Sequence, residues 1–226
     1  MLKTIYSEPE IISGKYKKYA LGLAVFVLVV FHAVGFWGLL FSGNPEYFQR
    51  LTPMNLLLTN ALLFAFHKSW NKAFILFGVL VYAVGFFSEV VGVHTGLLFG
   101  DYTYGQALGP KLWEVPLLIG LNWLMLVYVT GHISNYTGWH WLAKAILGAA
   151  LMVLLDVFIE PVAVAFDFWS WNGVDIPLSN YLGWFAVAFI LQVYFQKAGF
   201  TRHNRMAPFV YVVQLLFFMG LYILLS

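Results

Sequence analysis

The chain has 226 residues, of which 62% are hydrophobic and 10% are charged, and its formal net charge is +2. A soluble domain averages about 25% charged residues, so the composition excludes a water-soluble globule, and its hydrophobicity excludes a disordered chain. The bases form no cluster, so we expect no nucleic-acid partner. The sequence contains no cysteine, which excludes disulfides, thiolate nucleophiles and cysteine-ligated metals. These properties predict an all-α integral membrane protein that forms a single transmembrane domain over residues 1–226.

Seven apolar segments follow one another along the chain, which predicts a bundle of about seven transmembrane helices. The second is the weakest, because Asn55 and Asn60 interrupt it. The fifth is too long for a straight span, and we expect Pro161 to kink or end it. Residues 1–18 are predicted to form a polar cytoplasmic tail. The predicted spans are 19–41, 51–66, 73–93, 113–133, 139–166, 177–196 and 206–225.

The distribution of basic residues favours seven spans with a cytoplasmic N-terminus. In that arrangement every lysine and arginine except Arg50 and Lys111 lies on or near the cytoplasmic side. Removing the second span would move Lys197, Arg202 and Arg205 to the outer side, against the positive-inside rule. We therefore keep the second span and expect a multi-pass protein of the inner (cytoplasmic) membrane.

Two polar segments are predicted to lie on the outer side. Residues 94–111, between the third and fourth helices, contain four glycines, one proline and three aromatic residues. This composition favours an ordered turn or hairpin over the mouth of the bundle. Residues 169–173, with the sequence Trp-Ser-Trp-Asn-Gly, are interpreted as an interfacial aromatic belt that leads into the sixth helix.

Three carboxyl groups, those of Glu89, Asp156 and Glu160, lie within or at the ends of predicted helices without basic neighbours. A charge at mid-membrane costs at least ~2.5–3.5 kcal/mol, so such residues are functional candidates. Asp156 and Glu160 are four residues apart and share one helical face. At 1.5 Å per residue, Glu89 lies roughly 24 Å from the inner end of its helix. A structural role, with hydrogen bonds from tryptophans or loop amides, is the alternative.

The fourth and sixth helices carry further polar and aromatic residues in their first halves, which lie on the same outer side. Asn122 and Asn180 are candidates for substrate contact, although hydrogen bonding between helices explains each of them equally well. Packing is the simplest interpretation of Trp123 and Trp184. The predicted polar groups nevertheless gather at one depth beneath one loop.

Several blocks in matching order resemble the carotenoid biosynthesis membrane-protein family, which includes carotenoid 1,2-hydratases of the gamma-carotene and bisanhydrobacterioruberin type. They comprise residues 88–96, 99–104, 108–112, 115–119 with Asn122-Trp123, 176–184, and Asp156 with Glu160-Pro161. They cover less than half of the chain, and the first two spans and the last match only as hydrophobic helices. Family members often have aspartate where this chain has Glu160.

The resemblance implies hydration of the terminal C1=C2 bond of an acyclic carotenoid end group, which gives a tertiary 1-hydroxy group. It implies no cofactor and no metal. The expected partners are a carotenoid such as lycopene or gamma-carotene, water, membrane lipid and other carotenoid-pathway membrane enzymes.

Hydrating this alkene requires a strong acid in a dry site, since protonation produces a tertiary carbocation. We interpret Glu89, Asp156 and Glu160 as the catalytic residues, with Asp156 or Glu160 as the acid and Glu89 as the group that orients or deprotonates water, or with the acid and base roles exchanged. Asn122 and Asn180 would hold that water, and aromatic faces would stabilise the cation. The predicted substrate-binding residues are His94, Tyr102, Tyr104, Asn122, Trp123, Asn180 and Trp184.

Three alternatives remain open at the sequence level. The bundle could be a non-enzymatic scaffold that binds carotenoid or lipid, it could carry protons along its carboxylates, or it could be a lyase or isomerase acting on another prenyl lipid. A binder would copurify with pigment of unchanged mass, and a proton carrier would acidify liposomes without a lipid substrate.

Overall fold

The computed structural model describes residues 9–173 and 175–226, which form seven α-helices, one 3-10 turn and four short strands. Residues 1–8 of the predicted tail lie outside the described residues, and the first helix begins ten residues before the predicted span. The helices are α1 (Pro9–Phe41), α2 (Pro45–Ala65), α3 (Lys72–Thr95), α4 (Leu117–Ser134), α5 (Trp141–Ala165), α6 (Leu178–Lys197) and α7 (Ala207–Leu225). The strands are β1 (Tyr102–Tyr104), β2 (Lys111–Leu112), β3 (Val115–Pro116) and β4 (Trp169–Trp171), and the 3-10 turn is Asn135–Thr137.

Six of these helices, all except α2, are long and apolar enough to cross a membrane. The expectation of an all-α, multi-pass membrane protein is therefore confirmed. α2 is less apolar, yet it packs along the bundle in the predicted place. Near its start Phe48 packs on Gly38 of α1, near its end Asn60 donates to the Met125 sulfur of α4 at 3.6 Å, and just beyond it His67 bonds Tyr128.

Some helix boundaries differ from the sequence predictions. α2 begins at Pro45, before the predicted start at residue 51. α5 does not end at Pro161 but continues through it to Ala165. α4 begins at Leu117 rather than at residue 113, because β2 and β3 form a tight hairpin just before it. Trp113 and Glu114 make the two-residue turn with φ values of 50° and 64°, as a primed hairpin turn requires.

The segment between α3 and α4 pairs with the segment between α5 and α6. β1 and β4 are antiparallel, and Thr103 lies opposite Ser170 in their register. Residues 169–171 are therefore a strand of a small sheet and not the interfacial belt that was predicted. Gly105 tightens this contact, because its N–H donates to the Phe168 carbonyl at 2.9 Å and a Cβ at this position would lie 1.9 Å from the Asp167 oxygen.

α4 is the central helix of the bundle. About two thirds of it (67%) is buried, against 39% or less for each of the other candidate spans. Trp123, Met125 and Tyr128 on this helix are fully buried. Neighbouring helices surround α4, so its N-terminal half faces other helices rather than the surroundings. The carboxyl groups lie beside this half, where Trp123 of α4 bonds Glu89 of α3.

Candidate active site

Glu89 of α3 is 2% exposed and accepts three hydrogen bonds from neutral donors. The Tyr102 and Tyr104 hydroxyls donate to its Oε2 at 2.5 and 2.8 Å, and the Trp123 indole donates to its Oε1 at 2.9 Å. Alternation along a strand explains the pair of tyrosines: both face inward from β1, while Thr103 between them is exposed.

Glycines above and below Glu89 make room for these donors. Gly85, Glu89 and Gly92 lie on one face of α3, four and three residues apart. A Cβ at Gly85 would lie 2.4 Å from the Trp123 Cβ, and one at Gly92 would lie 2.8 Å from the Tyr102 hydroxyl. The absence of side chains at both positions lets α4 and β1 approach the carboxyl group.

The second carboxyl group is that of Glu160 on α5, which is 1% exposed. The indoles of Trp169 and Trp171, the inward residues of β4, both donate to its Oε2 at 2.9 Å. The Asn180 amide of α6 donates to its Oε1 at 2.8 Å. Each glutamate is thus held by two aromatic donors from one strand of the sheet and one donor from a helix.

Asp156 lies one helical turn from Glu160 and is completely buried. Its Oδ2 accepts from the same Asn180 amide at 3.0 Å. Its Oδ1 has no hydrogen-bond partner in the described part of the chain. Asn180 therefore joins the two carboxyl groups that the sequence places on one helical face.

No basic side chain in the part of the chain that the structure describes forms an ion pair with these three carboxyl groups. The only ion pairs among the described residues are Glu46 with Arg50 and His94 with Glu114, both at the surface. Burial, followed by the negative charge of Glu89, raises the pKa of Tyr102 and of Tyr104 above the usual value of 10.0. Both phenols therefore stay neutral and continue to donate across the physiological pH range.

A small cavity of about 20 Å³, lined by both polar and aromatic side chains, lies among these groups. A cavity needs about 10–15 Å³ of such space to hold a water molecule, so this one has room for about one. Its lining residues come from α3, α4, α5, α6, the β1–β4 sheet and the segment between α3 and β1: Glu89, Phe99, Tyr102, Tyr104, Ile119, Asn122, Glu160, Trp169, Trp171, Asn180 and Trp184.

A larger, mainly apolar cavity of about 260 Å³ lies beside the small one, between α1, α2, α4, α5 and α7. Ile119, Asn122 and Trp169 line both cavities. The Asn122 side chain makes no hydrogen bond to any other described residue. The large apolar cavity therefore meets the small, water-sized cavity at Asn122, whose amide is available to bind a molecule in either one.

Most of the predicted site residues come together in this arrangement. Glu89, Glu160, Asn122, Asn180, Tyr102, Tyr104 and Trp184 line the small cavity. Trp123 lies behind it, bonded to Glu89 and stacked on Trp184 with ring centroids 4.3 Å apart. Asp156 touches neither cavity and reaches the site only through Asn180.

His94 is the predicted site residue that the fold does not bring to the cluster. Its side chain is 47% exposed, and its Nδ1 lies 4.0 Å from the Glu114 carboxylate in the β2–β3 turn. Five residues of α-helix correspond to a rotation of roughly 140° beyond one full turn, so His94 points away from the Glu89 face. Trp169 and Trp171 were missed as site residues, although the alternating Trp-Ser-Trp pattern is typical of a strand with one inward face.

Comparison with known proteins gives three results. The profile of the carotenoid biosynthesis protein family matches residues 52–226. Bisanhydrobacterioruberin hydratase of Haloarcula japonica is 31% identical over 139 residues, which cover 54% of this chain and 46% of that protein. The chain thus aligns with about half the length of this curated relative. No solved structure matches the chain.

Proposed function

This chain belongs to the carotenoid biosynthesis protein family, and we propose that it adds water to the terminal C1=C2 bond of an acyclic carotenoid end group. The product is a tertiary 1-hydroxy group. The name of the Haloarcula japonica relative, a hydratase, supports this class of reaction, and lycopene or gamma-carotene would be a suitable substrate.

The observation that carries the proposal is the junction of the two cavities. An isoprenoid end group fits the chemistry of the large cavity, which is lined mainly by apolar side chains. Its terminal double bond would lie against Asn122 and Trp169, next to the space for one water molecule. Hydration needs two reactants side by side: an alkene that is kept away from bulk water, and one oriented water molecule.

The large cavity also offers a route from the membrane. Three residues that line it are also exposed at the surface of the bundle. They are Phe31 and Val34 of α1 and Met54 of α2, which are 51%, 53% and 68% exposed. In a bilayer this face is covered by lipid, where a carotenoid is dissolved. The end group would enter between α1 and α2 while the rest of the polyene stays in the lipid.

We assign the acid to Glu160 and the base to Glu89 from their positions. Trp169 contacts Glu160 and also lines the large cavity, so Glu160 would be the carboxyl group nearer the alkene. Glu89 is held by the phenols of β1 and by Trp123, none of which lines the large cavity. In the first step the Glu160 proton is transferred to C2, the C1–C2 π bond supplies the electron pair, and a tertiary cation forms at C1.

In the second step the water oxygen bonds to C1 and Glu89 takes one of its protons. Asn122 and Asn180 would orient the water, and the faces of Trp169 and Trp184 would stabilise the cation. One proton has then left Glu160 and one has reached Glu89. Transfer of the proton from Glu89 back to Glu160 through the small cavity restores the starting protonation state of both carboxyl groups.

Asp156 acts in this scheme as a positioning residue. Three buried carboxyl groups without a cation cannot all be ionised at low cost, and Asp156 shares the Asn180 amide with Glu160. A proton held by this pair is therefore available on Glu160, next to the substrate.

Product mass tests the proposal. We would express the chain in bacteria that make lycopene or gamma-carotene and analyse the pigments by liquid chromatography and mass spectrometry. We expect a more polar pigment heavier by one water. Glu160→Gln and Glu89→Gln should each reduce its formation by about 10²–10⁴-fold, whereas Glu46→Gln, at a side chain that is 77% exposed, should not.

Two results would contradict it. Full activity in both site variants would eliminate the carboxyl mechanism. Pigment of unchanged mass in both hosts, copurifying with protein found in the membrane, would instead identify a carotenoid-binding scaffold.

A further inference from the structure

The volume of the large cavity limits how much of a substrate the bundle can enclose. This volume is about 260 Å³. An apolar cavity of about 150 Å³ binds benzene, so in proportion the large cavity has room for about ten carbon atoms, or about two isoprene units. The rest of a carotenoid then lies outside the cavity. The site can therefore recognise the end of a chain, but not the length or the bonding of the part that follows.

The wall of the large cavity binds its contents mainly by apolar burial. It consists mostly of leucine, isoleucine, valine and phenylalanine side chains. Apolar burial is non-directional, and a hydrophobic pocket discriminates only weakly between molecules of similar shape. The last two isoprene units of lycopene and of squalene have the same branched skeleton, and the two chains differ only where the second unit ends. The enclosed parts of both molecules should therefore fit this cavity alike.

The reacting double bond is also isolated from the conjugated chain. In an acyclic carotenoid end group, two methylene groups separate the terminal double bond from the polyene. A tertiary cation at C1 is therefore not conjugated with the polyene and gains nothing from it. In squalene, whose double bonds are all isolated, the Glu160 proton and the water molecule would meet the same trisubstituted alkene. Conjugation is thus needed neither for binding in the cavity nor for the proposed chemistry.

We propose that the same site also hydrates the terminal double bond of acyclic prenyl lipids that have no conjugated chain, such as squalene. This activity rests on the proposed function, because it uses the same acid, base and water. One O–H bond of water and the C=C π bond are broken, and a C–O bond and a C–H bond form. No oxidant or reductant is required. The chain end would enter between α1 and α2, where Met54 is exposed, while the rest of the lipid stays in the bilayer.

Hydration of squalene by the purified protein tests this proposal. Protein in nanodiscs would be loaded separately with squalene, lycopene, gamma-carotene or β-carotene, which has the conjugated chain but a ring at each end. Incubation in water labelled with oxygen-18, followed by liquid chromatography and mass spectrometry, identifies products whose new oxygen comes from water. We expect labelled alcohols from squalene and from both carotenoids with acyclic ends, at initial rates within about tenfold of one another, and none from β-carotene.

Two glycines of α1 provide matched variants. Gly35 lines the large cavity and has room for a Cβ, whereas Gly22 does not line it. Gly35→Leu fills space that both kinds of chain need, so it should reduce the hydration of squalene and of lycopene in the same proportion, by about 10–100-fold. Gly22→Leu should leave both rates unchanged. Glu160→Gln should reduce both by about 10²–10⁴-fold, because the two substrates would share one acid.

The parent protein alone separates this proposal from the proposed function. Hydrated carotenoid without hydrated squalene would overturn the wider activity and leave the proposed function standing. Hydrated squalene without hydrated carotenoid would do the reverse, and no alcohol from any of the four lipids would overturn both. Squalene hydration that persists in Gly35→Leu while lycopene hydration falls would also overturn the proposal, because squalene would then react at another site.

Discussion

Tyr102 and Tyr104 hold Glu89 with hydroxyl groups rather than with positive charges. A lysine or arginine there would keep the carboxylate charged but would also repel the carbocation that the proposed reaction forms. Neutral phenols can hold the carboxylate without adding a positive charge beside the cation. The indoles of Trp169 and Trp171 have the same property at Glu160.

The raised pKa of these phenols predicts a pH-dependent stability. Both tyrosines stay protonated in the folded chain above pH 10.0, their usual pKa, while the unfolded chain loses these protons. Their contribution is therefore complete below pH 10 and is lost as the pH rises further, by up to about 1.4 kcal/mol per pH unit for each tyrosine. Thermal unfolding in detergent between about pH 9 and 12 measures this slope.

Tyr104→Phe should make the alkaline slope shallower, because one buried phenol no longer ionises on unfolding. Tyr136→Phe is the matched control, since Tyr136 is 62% exposed, and it should leave the slope as it is. An unchanged slope in Tyr104→Phe would show that this phenol ionises alike in the folded and unfolded chain.

Among the secondary-structure elements, α1 provides a test of the lateral route. Gly35 lines the large cavity, and a Cβ there would have room, its nearest neighbour being Phe217 at 3.8 Å. Gly35→Leu should therefore fill the entrance without disturbing the helix and reduce product formation by about 10–100-fold, as misplacement of a reactant does.

Gly22→Leu on the same helix is the comparison for this variant. A Cβ at Gly22 meets nothing within 4 Å, and the residue does not line the cavity, so activity should persist. Hydrated pigment per unit of membrane protein is the measurement. Equal product from the two variants would exclude entry between α1 and α2.

The regular geometry of the α-helix was sufficient to predict much of the candidate site from the sequence. Apolar length located the helices to within a few residues at most ends, and the rise per residue placed Glu89 and the Asp156–Glu160 pair at one depth. A spacing of four residues put those two carboxyl groups on one face, and the structure joins them through Asn180. These features are local, so local sequence is sufficient to predict them.

The remaining features depend on contacts between distant parts of the chain. Thr103 and Ser170 are 67 residues apart yet lie opposite each other in the sheet. Neither segment contains a sequence pattern that predicts this pairing. Tryptophan near a membrane edge is also typical of an interfacial belt. Because that interpretation fits the sequence, the inward-facing indoles of β4 were not predicted as site residues. The large cavity was not predicted because its apolar lining has the same composition as a surface that faces lipid.

For the molecule as a whole, the charges and the site indicate one orientation. Among the described residues, Lys68, Lys72, Lys197, Arg202 and Arg205 lie at the ends of helices opposite the small sheet. The positive-inside rule assigns that end to the cytoplasm. The sheet and the carboxyl groups would then lie on the outer side.

The absence of cysteine from this 226-residue sequence makes this orientation simple to test. Leu97→Cys, at a position 80% exposed beside the sheet, should react with a membrane-impermeant maleimide added to intact cells. Thr201→Cys, exposed at the opposite end, should react only after the cells are broken. The reverse labelling pattern would show that the bundle has the opposite orientation, with the carboxyl groups on the inner side.

The small cavity, with its volume of about 20 Å³, has a consequence for the kinetics of the proposed reaction. A chamber that holds a single water molecule is emptied by every turnover and must be refilled before the next. Water then behaves as a countable reagent rather than as the solvent, and the rate should fall when osmolytes lower the activity of water. Product formation in membranes, measured against the concentration of a sugar too large for the chamber, would detect this dependence.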